Sequence, residues 1–229
     1  MARPMNLKPF YAVLGGIAVV GAGWLVYSGR RSSGAAQLEP VPAEAVAAAD
    51  AFPGHVLGSD SAPIEVIEYA DFQCPACAQF AILTMHDVKE RLIQTGRVRW
   101  RFRDFPLEIH DKSQLAHHSA ACAGEQTQFW AMHDQLYYNQ SRWYGERPAA
   151  AGRMFRDFAR TIGLDVGAYD SCMESSRYRA RIAASAQQGI SQGVASTPTF
   201  IIDGRRVAGS MAYDPLHHMI DSLIALKQR

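Results

Sequence analysis

Almost no net charge remains on this sequence once its 23 lysines and arginines are set against its 22 aspartates and glutamates, a formal balance of +1. With no electrostatic surplus to neutralise phosphates, a nucleic-acid partner is not expected. Cysteine is scarce, four in 229 residues; that excludes a disulfide-stapled miniprotein but leaves an even number to pair. There is no internal repeat, no second C-x-x-C and no H-x-x-x-H. What is present in quantity is apolar: 48% of the residues are hydrophobic, too many for a disordered chain, and the length suits one or two domains.

From Phe10 to Gly29 no residue is charged, with Lys8 before the run and Arg30-Arg31 after it. Twenty helical residues span roughly 30 Å, the thickness of a bilayer's hydrocarbon core. Tyr11, Trp24 and Tyr27 lie near its ends, where amphipathic rings favour the membrane interface. A cleavable signal peptide has a shorter apolar stretch and a small-residue cleavage site; Ser28-Gly29-Arg30-Arg31 fits that poorly. The expectation is therefore an uncleaved transmembrane anchor over 10–29, with 1–9 on the cytoplasmic side. Basic residues flank both ends almost equally, so the positive-inside rule does not by itself set the orientation. Residues 30–58, rich in Ala, Ser, Gly and Pro, read as a linker.

Ordered structure is expected from about residue 59. Ile64 to Ala70 is short, apolar and β-branched, a buried strand. Beyond Cys77, residues Ala81, Met85, Val88 and Leu92 mark one face of a helix, which Gly96 ends. Val98, Trp100 and Phe102 then alternate with four arginines, predicting a strand with one face buried and a solvated basic face. Strand, helix and strand form a βαβ unit. From Ser113 to Gly193 helical spacing dominates, with breaks near Gly124, Ser141–Pro148 and Gly163. Asp165 is placed to cap a helix containing Tyr169 and Cys172, and Leu164 with Tyr169 to staple it. Thr199–Ile202 and Arg206–Ala208 flank an Asp203-Gly204 turn as a hairpin. A last helix runs from Asp214 or Pro215 to Lys227 on Leu216, Met219, Ile220 and Leu223. The fold class is α/β, preceded by one transmembrane helix.

Cys74-Pro75-Ala76-Cys77 stands where the first strand gives way to a helix. C-x-x-C alone is also half a zinc site. The other half is missing: Cys122 and Cys172 stand alone in helices, and His117-His118, being adjacent, diverge. No metal or other cofactor is therefore expected. Pro75 suits the first helical position, which leaves Cys74 at the helix N-terminus. There the free N–H groups and the macrodipole favour a thiolate, the reactive species. Cys77, one turn in, is placed to resolve a mixed disulfide at Cys74. Trp130, His133, Trp143 and Tyr144 fit either a peptide groove or, more commonly for such spacing, a core.

Four stretches in order carry a family resemblance: Gly58 to Pro63, Glu68 to Cys77, Phe129 to Asp134, and Gly193 to Phe200. They cover about residues 55–229. The chain resembles the DsbA-like branch of the thioredoxin superfamily, bacterial thiol:disulfide oxidoreductases with a helical domain inserted in a thioredoxin fold. The resemblance implies a thioredoxin part over 59–106 and 180–229 with the insertion over 107–179. It implies that Thr197-Pro198 is cis and beside Cys74, although local sequence alone disfavours a cis bond. It implies that Glu68 lies beneath the cysteines and moves a proton to Cys77, where an exposed strand carboxylate is the plain alternative. Thr197, Pro75 and Ala76 then become substrate-binding positions. Cys122 and Cys172 become either a structural disulfide of the insert or two inert buried thiols. Strongly oxidising members typically have Pro-His between the cysteines; Pro75-Ala76 departs from this, as does Thr197 before the proline. The implied activity is disulfide exchange with unfolded or reduced exported proteins in the oxidase direction, the alternatives being a membrane-tethered reductase or isomerase serving cytochrome or copper-site maturation, or a non-enzymatic thioredoxin-fold binding module. The implied setting is the bacterial inner membrane, with the domain facing the periplasm or cell exterior and a membrane redox partner.

Overall fold

A computed structural model of the chain describes residues 52–228. The anchor assigned to 10–29 lies outside them, and no helix among the described residues is long and apolar enough to cross a membrane.

A five-stranded sheet organises the domain. β1 (His55–Leu57), β2 (Ile64–Ala70), β3 (Val98–Asp104), β4 (Thr199–Ile202) and β5 (Arg205–Ala208) lie in the order β1-β3-β2-β4-β5. β2 and β3 run parallel, with Val66 beside Trp100 and Glu68 beside Phe102; the other pairings are antiparallel. Ile64, Val66, Trp100, Phe200 and Ile202 form one buried face. Against it lie α1 (Pro75–Leu83), α2 (Met85–Val88), a π-helical turn (Lys89–Ile93) and the last helix. Leu216, Ile220 and Leu223 of that last helix are buried as their spacing predicts, and it starts at Tyr213.

The helix after Cys77 is segmented where an unbroken one was expected. At Thr84 the backbone departs to φ −116°, and its hydroxyl donates to the Met211 carbonyl at 3.0 Å. A β-branched residue that can bond to a neighbouring loop competes with the helix ladder at that point. Gly96, at φ +73°, ends the run as expected.

The domain also begins earlier than residue 59. β1 falls in the segment assigned to the linker, between Gly54 (φ +99°) and Gly58 (φ +93°). A Cβ at either glycine would come within 2.6 and 2.7 Å of the Phe102 and Val98 carbonyls, so only glycine lets this edge strand close onto β3. Three residues framed by Pro53 and two glycines read as a tether from composition alone. The basic face of β3 is solvated only in part: Arg97 and Arg99 are half-buried, paired with Asp221 and with the exposed Asp60, and the other two arginines are covered. Arg103 is 4% exposed and donates to the Phe52 carbonyl, while Arg101 bonds Glu65 and the Pro53 carbonyl. The chain preceding β1 covers them.

Between β3 and β4 come α3 (Ser113–Glu125), α4 (Phe129–Tyr138), α5 (Gln140–Trp143), α6 (Pro148–Thr161), α7 (Val166–Ser175) and α8 (Arg179–Ser191). The breaks fall near the three places predicted, with two more at Asn139 and at Ser176, which is left-handed. The Asp165 side chain accepts from the Ala168 amide at 2.9 Å, and Leu164 and Tyr169 are both buried in the insert's core. Cys122 of α3 and Cys172 of α7 form a disulfide across 50 residues.

Candidate redox site

Cys74 is the N-cap of α1, extended at φ −72° and ψ 122°, with Pro75 opening the helix. Its amide bonds the Asp71 carbonyl and its own carbonyl accepts from Ala78, so β2 passes into α1 through one tight turn. Cys74 is 6% exposed and Cys77 fully buried; both are free thiols. Pro75 is exposed and Ala76 half-buried beside them.

The two sulfurs are driven apart chemically. A hydrogen bond from Cys77 is the largest influence on Cys74, followed among the favourable ones by Thr197 and by the Cys77 and Ala76 amides. Together they outweigh burial and bring the thiol from 9.0 down to about 6. Burial, then the hydrogen bond to Cys74 and the charge of that neighbour, push Cys77 well above its ordinary range. The Cys77 thiol, Thr197 and the helix-terminal amides thus stabilise one thiolate while the apolar interior keeps its neighbour protonated.

The Thr197-Pro198 bond is cis, both residues are buried, and the Cys74 thiol donates to the Thr197 carbonyl at 3.3 Å. This segment therefore sits beside Cys74 although 123 residues separate the two. The Thr197 hydroxyl is buried without a protein acceptor or donor, and it is a group able to donate to a Cys74 thiolate.

Glu68 is 2% exposed on the inner face of β2, not a surface carboxylate. The Trp100 indole donates to it at 3.0 Å. Burial raises its acid dissociation from 4.5 to about 7 against that hydrogen bond, and its charge in turn opposes ionisation of Cys77. Cys74, Cys77, Thr197, Pro198 and Glu68 are thus gathered at one end of the sheet. Cys122 and Cys172 are not among them; their disulfide belongs to the insert.

Sequence reading passed over the scaffold around this turn. Asp71 is fully buried and accepts from the Gln73 amide, the Ser113 hydroxyl, the Leu107 amide and His110 at 2.6–2.9 Å. Gln73 accepts from the Lys112 amide at 2.7 Å. Gln140 donates to the Phe72 and Cys74 carbonyls at 2.8 and 3.0 Å, so the insert holds the active turn directly. Asp71 and Gln73 lie within the motif itself; nothing local marks Gln140. Of the aromatics, Trp143 and His133 are core, while Tyr144 is exposed.

Fold and site together define a thioredoxin-fold domain with a helical insert and a Cys-x-x-Cys turn at the N-terminus of its first helix. The sequence profile of the thioredoxin family matches residues 51–222, and the chain belongs to that family. It is 35% identical over 172 residues to the Na(+)/H(+) antiporter NhaA 3 of Salinispora tropica, covering 75% of this chain and 25% of the antiporter. It is 37% identical over 92 residues to the probable disulfide bond formation protein D of Bacillus cereus, 38% of this chain and 40% of that one. The chain therefore spans a quarter to two-fifths of the length of these curated relatives. In structure it resembles α-DsbA1 of Wolbachia pipientis, with a TM-score of 0.69 and 22% identity over 84% of this chain and 98% of that one.

Proposed function

We propose that Cys74 and Cys77 work as a disulfide donor to reduced, unfolded exported proteins, held at the bacterial inner membrane by the 10–29 anchor and facing the periplasm or cell exterior. The observation that carries this is the divergence of the two thiols, Cys74 down to about 6 and Cys77 well up. A substrate thiolate attacks the Cys74 sulfur of the Cys74–Cys77 disulfide and expels Cys77, which takes a proton. Glu68, titrating near 7, supplies it. The substrate's second thiolate then attacks the substrate sulfur and releases Cys74, a good leaving group because its thiolate is stabilised. The substrate ends as a disulfide and the protein as a dithiol, which a membrane redox partner reoxidises. Thr197, Pro75 and Ala76 frame the sulfur where an extended substrate would lie. Similarity to a segment of antiporter chains supports a module that operates attached to a membrane protein or anchor.

The test is the equilibrium reduction potential of the pair in the full-length chain against glutathione, with turnover of a reduced model protein. The expected potential lies closer to the roughly −120 mV of a strong periplasmic oxidant than to the roughly −270 mV of thioredoxin, which would make the chain a tethered reductase or isomerase. Unchanged activity in Cys74→Ser would leave only a non-enzymatic binding module.

A further inference from the structure

The insert's disulfide has neighbours that a structural cross-link does not need. His118, Cys122 and Glu125 sit on α3 at i, i+4 and i+7, one face of a single helix. Cys172 meets that face from α7. A ligating atom of His118 and the two sulfurs all lie within 4.8 Å of one another, and all three residues are buried. Glu125 closes the group: its Oε1 is 3.6 Å from the Cys172 sulfur. We propose that these four side chains form a cation site of the zinc type, which opens when the Cys122–Cys172 disulfide is reduced.

The donor set is that of a closed tetrahedral zinc site, two thiolates with one imidazole and one carboxylate. His118 Nε2 lies 3.1 Å from the Cys172 carbonyl, so the ring is held against α7, and a neutral imidazole carries one nitrogen with a lone pair for an ion. Glu125 is oriented by the Tyr178 hydroxyl at 2.6 Å and by Arg177 at 2.7 Å, and a carboxylate retains capacity beyond those bonds. Charge closes as well: two thiolates and Glu125 against a divalent ion leave one negative charge, which Arg177 offsets. The Cα atoms of Cys122 and Cys172 are 5.7 Å apart. Two sulfurs sharing one ion need a separation of about 3.8 Å, from Zn–S distances of roughly 2.3 Å in tetrahedral geometry. Side-chain rotation is therefore enough to reach it.

The chemistry balances. A dithiol gives two electrons and two protons to the Cys122–Cys172 bond and becomes a disulfide; zinc then displaces the two protons from the new thiols. The metal replaces one cross-link between α3 and α7 by another, so reducing conditions would exchange a covalent clamp for a coordinate one. The site stands apart from the Cys74 turn and does not rest on the direction of electron flow there.

The experiment uses the full-length chain with Cys74→Ser and Cys77→Ser, so that no other thiols remain. A phosphine reduces the disulfide, itself becoming the phosphine oxide with oxygen from water. The phosphine is then removed and zinc is added in competition with a chromophoric chelator. Reduced protein is expected to retain about one zinc per chain and oxidised protein none, with cobalt in place of zinc giving a thiolate charge-transfer band. His118→Ala should weaken retention by more than about tenfold, the lower bound for loss of even an outer-shell partner, and Glu125→Gln by a smaller factor. Absence of zinc from the reduced protein overturns the proposal. So does equal retention by both variants, which is what two thiols in an unfolded chain would give.

Discussion

At the scale of single residues, the site runs on the contrast between Cys74, which is stabilised as an anion, and the groups around it that are kept neutral. Thr197 is the sharpest test, because its hydroxyl is buried with nothing else to bond. Thr197→Val keeps the shape and removes the donor. A hydrogen bond to a charged group contributes about 1.5–3 kcal/mol, so the Cys74 thiol should rise by roughly one unit or more. Ultraviolet titration of the thiolate would measure it, and an unmoved titration would assign the depression to Cys77 and the amides alone. Glu68 tests the opposite case. Its acid dissociation is near 4.5 unfolded and about 7 folded, so the folded state holds an extra proton between those values. Its contribution to stability is fully present below pH 4.5 and is lost as pH rises through about 7. Glu68→Gln keeps an acceptor for the Trp100 indole and removes the buried charge. The variant should match the parent at pH 4 and be more stable at pH 8 by on the order of 3 kcal/mol, as read by urea denaturation, while disulfide exchange slows. Equal stability at both pH values would mean that the carboxylate is solvated in the folded state.

At the scale of elements, the active turn is fixed from outside the sheet. Asp71 joins the end of β2 to the segment leading into α3 through donors on Leu107, His110 and Ser113 and holds its own turn through the Gln73 amide, and Gln140 joins the turn to the insert. Asp71→Ala strands those donors in the interior. Each unsatisfied buried donor costs about 1–3 kcal/mol, so a loss of at least about 3 kcal/mol is expected in unfolding free energy from urea denaturation, with greater protease sensitivity near His110. A loss below 1 kcal/mol would show that the loop refolds around the gap. These ties explain which parts of the fold were readable in the chain. Strands β2 to β5, the cysteine turn and the helical insert were legible because hydrophobic period and turn chemistry are local signals. The edge strand β1 was not, because three residues between two glycines become a strand only by pairing with β3. The covered faces of Arg101 and Arg103 were not legible either, since the segment that buries them lies about fifty residues upstream. Gln140 shows the same limit at the site: its role is set by where α5 docks, and its own neighbours give no sign of it. The His118, Cys122 and Glu125 spacing is present in the sequence, but it gains meaning only once Cys172 is brought across from another helix.

At the scale of the whole molecule, the oxidation state of one pair of sulfurs should be felt in global stability, and pH separates that effect from everything else. Closing the four-residue Cys74–Cys77 ring restricts the unfolded chain by a loop entropy that does not depend on pH. The Cys74 thiolate, by contrast, exists only in the reduced protein. Its acid dissociation is 9.0 unfolded and about 6 folded, so it adds stability that is fully present above pH 9 and lost as pH falls through about 6. The difference in unfolding free energy, reduced minus oxidised, should therefore be flat below pH 6 and climb above it. One unit of titration is worth about 1.4 kcal/mol; with solvent screening at a sulfur on the rim of the site, a gain on the order of 1 kcal/mol is expected between pH 5.5 and 7. The reduction potential should carry the same break, because the number of protons taken up per two electrons falls from two to one as Cys74 ionises while Cys77 stays protonated. Its slope would change from about −59 to about −30 mV per pH unit. Paired denaturation curves, with the buried Cys122–Cys172 disulfide verified intact by thiol labelling, would measure the first quantity and a glutathione series the second. A stability difference that does not vary with pH, together with an unbroken slope through pH 6, would place Cys74 at an ordinary thiol value. That outcome would remove the physical basis for a disulfide donor, since it is the stabilised Cys74 thiolate that favours the reduced state.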